Sequence, residues 1–486
     1  MENTGRISSG ITPSARRVIF GATADESIDT ELRYLVQVDR AHLVMLAEQN
    51  IIDRERARQL LNVINELDSC DFEPLRNKRA LRGLYLLYED YLTQQLGPET
   101  GGILQTARSR NDLNATVLRL RLRRVYLDLI REALRLQSVL LRRVRRFGGV
   151  VMPAYTHYQA AVPVTYGHYL AGVASSLNRD IAGMISASAD LDRCPLGAGA
   201  VGGTSFPIDP NRTAQLLGFD EPAKHSIDAV ASRDLILRLL ANASILGITL
   251  SRLATDLLLW TTAEFGFLSL PDSLIGSSSM MPQKRNPFLL EHVQGKSTAA
   301  LGAFVNSATA MHAKPFTNSI SVGTEAVAPV WNALKSVTES LLLTRLVVMG
   351  AQPQQSAMLR RAEQGYTAAT ELANRFVSQQ GMAFRNAHYT VGTIIRAAVE
   401  NNEEPLTQAA ARWQNGNAGS ISFDGLDPTS VVEVSAYGGG PGRQSLQLCF
   451  EALREDWRIH IARVREQASK WRLAAAALNE AVRELK

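Results

Sequence analysis

Apolar residues recur along most of this chain at the three- and four-residue spacing of a helix, and several long stretches carry neither glycine nor proline. In residues 31–67 they fall at Leu43, Leu46, Ile51, Leu60, Leu61 and Ile64. Residues 112–147 contain no helix breaker and predict about ten turns of continuous helix. The patch Leu118–Arg123 alternates as a strand would, but its continuation into Leu129, Ile130, Leu134 and Val139 is helical. Residues 227–266 and 288–312 predict two more long helices, with Pro271 and Pro282 punctuating the loop between them. Residues 451–486 predict a last amphipathic helix rich in Arg and Glu, and Gly/Pro-rich breaks at 148–168, 195–210 and 435–442 connect the elements.

Helices approaching forty residues suit a long bundle, whose apolar stripes are covered by neighbouring helices or by other subunits. A chain of 486 residues is also too long for one hydrophobic core. The expected fold is therefore mainly all-α, with an N-terminal helical domain at 1–106, a central long-helix bundle at 107–360 and a C-terminal helical domain at 361–486.

Composition changes this picture little. Hydrophobic residues make up 45% and charged residues 20%, as in ordinary soluble globular chains. The net charge of +5, from 52 basic and 47 acidic residues, suits small anionic substrates without calling for nucleic acid. The arginines between 117 and 147 could suggest a nucleic-acid-binding helix, but only Tyr126 lies among them as a stacking partner, and Asp128 and Glu132 interrupt the run. Ion pairs between helices are the better expectation. Cys70, Cys194 and Cys449 are too few and too far apart for a disulfide framework or a zinc site. Residues 1–12 are polar, unlike a secretory signal, and Arg238, Arg252, Asp256 and Glu264 interrupt the most apolar stretch, 235–265, so no membrane span is expected. A cytoplasmic protein is the expectation.

Candidate chemistry concentrates in Ser278-Ser279-Met280-Met281-Pro282-Gln283-Lys284-Arg285-Asn286-Pro287, just after Gly276. A hydroxyl-rich loop of this kind can fold over an anion and offer it backbone N–H groups. Lys284 adds a full charge and Asn286 a neutral donor, so a carboxylate is the natural guest. Any one of these residues would also suit an ordinary surface loop. A second segment, Thr106-Ala107-Arg108-Ser109-Arg110-Asn111-Asp112, opens the long helix. Ser109 or Asn111 suits its N-cap and Asp112 its first turn, while Arg110 and Asn111 also offer a forked cation and an amide to a carboxylate. A third, Tyr155-Thr156-His157-Tyr158-Gln159, holds a loop histidine that alone says little. Glu291 lies about one turn into the helix that begins after Pro287.

Together these segments resemble the fumarase/aspartase superfamily. Ser-Ser-x-Met-Pro-x-Lys-x-Asn at 278–286 is similar to its signature, and the ending Met-Pro-Gln-Lys-Arg-Asn-Pro resembles the argininosuccinate lyase branch. Residues 195–209, 226–234 and 371–388 resemble further family segments, with coverage of roughly 30–400 and a poor match over the last 80 or so residues. The resemblance implies a three-domain fold assembling as a homotetramer, with active sites shared between subunits and no metal or organic cofactor. It implies cleavage of a C–N or C–O bond beta to a carboxylate, with release of fumarate. Ser278 corresponds to the general base, and Lys284 and Asn286 to stabilisers of the developing charge. His157, paired with Glu291, corresponds to the group that takes part in proton transfer. Arg110, Asn111, Thr156 and Ser279 correspond to substrate contacts, with Ser109 and Gln159 beside them. Family Arg and Gln positions read here as Ala160 and Val162.

The resemblance fails where argininosuccinate lyases hold arginine. Their Tyr-Asn-Lys-Asp-x-Gln-x-Asp-Lys run, counted without gaps from Glu291, falls on residues 318–326. The tyrosine becomes Asn318, the glutamine Gly323 and the last lysine Ala326, while Glu325 keeps an acidic character. An upstream family histidine falls on Tyr85, near Glu89. The expected substrate is thus an N-substituted aspartate, such as an aminopolycarboxylate, whose amine is not arginine. The alternatives are argininosuccinate lyase itself and a non-catalytic, crystallin-like structural protein.

Overall fold

The structure, a computed structural model, describes residues 10–416 and 421–485. Two helices, α1 (Arg33–Glu48) and α2 (Arg54–Ser69), stand where one stretch was expected over 31–67. Asn50, at φ 55°, ends the first run, and Asp53 caps the second by accepting from the Glu55 amide at 2.7 Å. With α3 (Leu84–Leu96) they enclose a core that contains Leu43, Leu46, Leu60, Leu61, Ile64 and Tyr88.

The 37-residue α4 (Arg110–Arg146) matches the unbroken stretch in the sequence. Its arginines are divided between packing and ion pairs. Arg119 and Arg123 are buried and donate to backbone carbonyls, Arg119 to Ala115 and Asp190, Arg123 to Leu217 and Gly218. Arg121 pairs with Glu31 at 2.6 Å, Arg124 with Asp128 at 3.1 Å, and Arg345 reaches Glu132 from another helix.

A β-hairpin follows, within a break expected only to be a connection. β1 (Val151–Thr156) pairs antiparallel with β2 (Gln159–Thr165). Then come α5 (Tyr166–Ala187) and α6 (Asp234–Thr261), the latter shorter than expected because the chain breaks at Ser232–Arg233. The stretch 288–312 also divides, into α7 (Phe288–Ser297) and α8 (Ala299–Met311). Ser297 and Thr298 turn their hydroxyls onto the carbonyls of Gln294 and Gly295 there, a bond that competes with regular helix. α9 (Val330–Gly350) completes the bundle, in which α4 lies against α5 and α9, and α6 against α5, α7, α8 and α9. Gly247 lets α7 come so near to α6 that an added Cβ would meet the Ser297 carbonyl oxygen at 2.3 Å.

By length and composition alone α6 could cross a membrane despite its charges, with a mean hydropathy of 1.4 over an 18-residue window. Half of that window is buried inside the chain, as in a bundle core. Elsewhere on the bundle, Ile245 and Ile248 of α6, Leu301 and Val305 of α8 and Met349 of α9 are exposed, which leaves apolar surface uncovered in a single chain.

Beyond α10 (Gln355–Gln364), which lies on β1, four helices build a small cluster around Leu372, Phe376, Ile394 and Leu406. They are α11 (Ala369–Gln380), α12 (Phe384–Glu400), α13 (Leu406–Asn415) and α14 (Pro428–Val434). The 42-residue α15 (Arg443–Glu484) begins earlier than expected and packs on α4 and α5 rather than on that cluster. Leu446, Leu453 and Val464 join the bundle core, and Leu478, Ala481 and Val482 join the core of α1–α3. Trp457 fastens it by donating to the Leu134 carbonyl at 3.0 Å.

Candidate active site

The signature segment is a loop closed at its base. Gly276 and Asn286 exchange backbone hydrogen bonds of 2.8 Å, and Arg285 ties the outside down through Asp272 at 2.6 Å and the Leu270 carbonyl at 2.9 Å. Inside it, Ser278 Oγ accepts from the backbone amides of Met280 at 3.3 Å and Met281 at 3.0 Å. A serine closing a turn makes such bonds. They also stabilise negative charge on that oxygen, which is what a basic serine needs. Ser279 and Lys284 are exposed, and Lys284 makes no side-chain bond among the described residues. Asn286 Nδ2 reaches the Ser277 carbonyl at 3.5 Å.

The second group forms at the start of α4. Ser109 Oγ caps the helix and the Asp112 carboxylate reaches back to the Ser109 amide, a capping box that occupies the serine. Asp112 does more than its expected part in the first turn. It is fully buried, and its Oδ2 accepts from the amides of Gly197 at 3.1 Å and Gly199 at 2.9 Å, which binds the glycine-rich loop to the helix. Gly199 sits at φ 61°, where a Cβ would strike the Gly203 carbonyl oxygen at 2.5 Å. Asn111 bridges two distant segments: its Nδ2 donates to the Ala200 carbonyl at 3.2 Å, and its Oδ1 accepts from Asn318 Nδ2 at 3.0 Å. Arg110 is exposed beside it.

Beneath this turn lies a buried polar cluster. The Arg108 guanidinium approaches Asp39 of α1 to 2.6 Å, with both side chains wholly buried, and donates to the Tyr85 hydroxyl at 3.4 Å. Tyr85, aligned with the upstream family histidine, donates to Gln105 Oε1 at 2.6 Å. It is buried and belongs to the support. His42 bonds the Thr106 carbonyl at 2.8 Å, and burial, reinforced by Arg108, lowers its pKa to about 3. In the unfolded chain it titrates near 6.5. Between these values the unfolded state holds a proton that the folded state does not, so the contribution to stability is complete above about 6.5 and falls as pH drops toward 3. Going from pH 7 to pH 5 should therefore destabilise the α1–α3 unit by about 2 kcal/mol more in the wild type than in His42→Gln, measured by denaturant midpoints.

The third group is the hairpin tip. Thr156 and Gln159 face each other across a two-residue turn, with His157 at φ 52° and Tyr158 at φ 62°. Positive φ at both positions is what a type I′ hairpin demands, and Asn or Gly usually meets it. A tyrosine there is strained by about 1–2 kcal/mol, a cost tolerated most often at functional sites. All four residues from Thr156 to Gln159 are exposed, as is Glu291 in the first turn of α7. Among the described residues, no hydrogen bond joins His157 to Glu291 within one chain, or links the three groups beyond those given.

The roles of Asp39, Arg108 and Asn318 escaped sequence reasoning. An aspartate among the apolar residues of α1 was the available signal for the buried pair. Among the described residues no group of three His, Cys, Asp or Glu side chains could hold a metal ion. A groove of about 730 Å³ between residues 211–222 and α15 contains none of the site residues.

Residues 18–302 match a family described as Lyase, and residues 366–433 match the argininosuccinate lyase C-terminal family. The chain belongs to the fumarase/aspartase lyases, in the argininosuccinate lyase branch. This lyase is 34% identical over 453 residues to the argininosuccinate lyase of Methanothrix thermoacetophila, with 92% of each chain covered. It is 38% identical over 365 residues to that of Thermus thermophilus, covering 74% of this chain and 78% of the other. EDDS lyase, solved in complex with formate, superposes with a TM-score of 0.86 at 27% identity, over 100% of this chain and 98% of that one. The class II fumarase of Schistosoma mansoni shares the fold, at a TM-score of 0.70 and 16% identity, over 84% and 91% of the two chains. The likeness thus passes the limit near residue 400 expected from motifs. The lyase is a fumarate-eliminating C–N lyase.

Proposed function

We propose that this lyase releases fumarate from an N-substituted aspartate other than argininosuccinate, and runs the reverse addition of the amine. The observation that carries the chemistry is the Ser278 oxygen held by the amides of Met280 and Met281. With its own proton removed, this oxygen takes a proton from the carbon alpha to one substrate carboxylate. The C–H electron pair spreads into that carboxylate as an aci-carboxylate, which Lys284, Asn286 and the loop amides stabilise. The C=C bond then forms as the C–N bond breaks, its electrons leaving with the nitrogen, which takes up a proton. His157, oriented by Glu291, supplies or steers that proton. Arg110, Asn111, Thr156, Ser279 and Gln159 hold the carboxylates, while Ser109 acts through the helix cap.

Three exposed groups on one chain, together with the uncovered apolar residues of α6, α8 and α9, support a homotetramer whose sites combine residues of several copies. Co-expressed Ser278→Ala and His157→Asn chains should regain activity that each lacks alone. Failure to do so would show that each site draws both residues from one chain.

The departures at Asn318, Gly323 and Ala326 support an amine other than arginine, whereas the sequence relatives favour arginine. Fumarate release, followed by ultraviolet absorbance, should be slower from argininosuccinate than from other N-succinyl amines by about 10⁴-fold in kcat/KM, the scale of lost polar recognition. Efficient turnover of argininosuccinate would establish the second reading.

A further inference from the structure

Asn111 is where two segments without ionisable side chains meet. It holds the Ala200 carbonyl at 3.2 Å and the Asn318 amide at 3.0 Å. Residues 195–208 contain no Asp, Glu, Lys, Arg or His, and neither do residues 315–324. Both present apolar side chains to the outside: Phe206 is 47% exposed, Phe316 67% and Ile320 71%. Within the second segment, Ser319 and Ser321 share a hydrogen bond of 3.2 Å. Val322 and Ala326 are buried, and Ser307 Oγ holds the Ala326 carbonyl at 2.7 Å, so the segment is anchored to α8. Arg110 is thus the one ionic group in this turn of α4 that is free for substrate among the described residues, and it suits a carboxylate of the succinyl half.

We infer that the amine half of the substrate is uncharged and apolar, an aralkyl or alkyl group lying against Phe316 and Ile320. This rests on the fumarate-forming reading above and narrows its amine. A second ammonium or carboxylate on the leaving amine would lose water against the side chains of Phe316 and Ile320, neither of which can pair with it, an unfavourable exchange. An apolar group gains by the same contact.

The test uses the full-length protein and N-benzylaspartate, N-(2-aminoethyl)aspartate and ethylenediamine-disuccinate, with fumarate release as the readout. N-benzylaspartate should show a kcat/KM at least about tenfold above the two charged compounds, the scale of apolar recognition. A higher value for either charged compound overturns the inference and leaves the C–N lyase intact. No fumarate from any of the three, or from argininosuccinate, overturns both. Ile320→Glu, a change at an exposed position, should raise kcat/KM for N-(2-aminoethyl)aspartate relative to N-benzylaspartate by about tenfold, mainly through KM. An unchanged ratio would mean that Ile320 does not face the amine, and would also overturn the inference.

Discussion

Replacing Ser278 by alanine should lower kcat for fumarate release by about 10²–10⁴-fold, the contribution of one positioned proton-transfer group. KM should change little, because the carboxylate contacts proposed for Lys284, Asn286, Arg110 and Asn111 remain. The protein should keep its thermal stability. The change removes two hydrogen bonds in a partly exposed loop, whose base stays closed by the Gly276–Asn286 pairing and the Arg285–Asp272 ion pair. Ser279→Ala is the matched control. Its hydroxyl bonds to nothing among the described residues, so any effect should be on KM. If the two variants lose activity equally, the amides of Met280 and Met281 are holding a turn and not a base.

What the chain discloses about its fold follows the range of the forces involved. Helix α4 was legible because its apolar spacing, its missing breakers and its Ser109–Asp112 capping box are all local. The breaks inside 31–67 and 288–312 were missed because they depend on single residues, Asn50 in the left-handed region and Thr298 bonding back to Gly295. The hairpin was missed because its turn uses His157 and Tyr158, where a sequence reader looks for Asn-Gly. The return of α15 to α4 and α5 is a long-range packing choice, and an amphipathic stripe does not name its partner. At the site, residue types conveyed the chemistry of the 278–286 loop, but not the bridge from Asn111 to Ala200 and Asn318, residues 89 and 207 positions away. Nor did they reveal that Tyr85 supports the site from inside the core.

Arg108→Met should destabilise the α1–α3 unit by about 3–5 kcal/mol, the usual consequence of leaving one member of a buried ion pair alone. Both side chains are wholly buried, and among the described residues no other ion pair is made by Asp39, so its carboxylate must either stay charged with only the Tyr88 hydroxyl beside it or take up a proton. The loss should be read as a fall in the denaturant midpoint of the first unfolding phase, since the α1–α3 unit has a hydrophobic cluster separate from those of the bundle and of α11–α14. Activity should fall with it, because Arg108 lies two residues before Arg110 and its neighbour Tyr85 fixes Gln105, which bonds the Arg108 carbonyl. Asp39→Leu combined with Arg108→Met should recover much of the stability, as apolar replacement of a buried pair often does. Activity should recover only as far as the 105–112 turn regains its place. A double variant as stable as the wild type yet inactive would show that the pair sets the direction in which Arg110 and Asn111 meet the substrate. Equal recovery of both properties would mean that it serves stability alone.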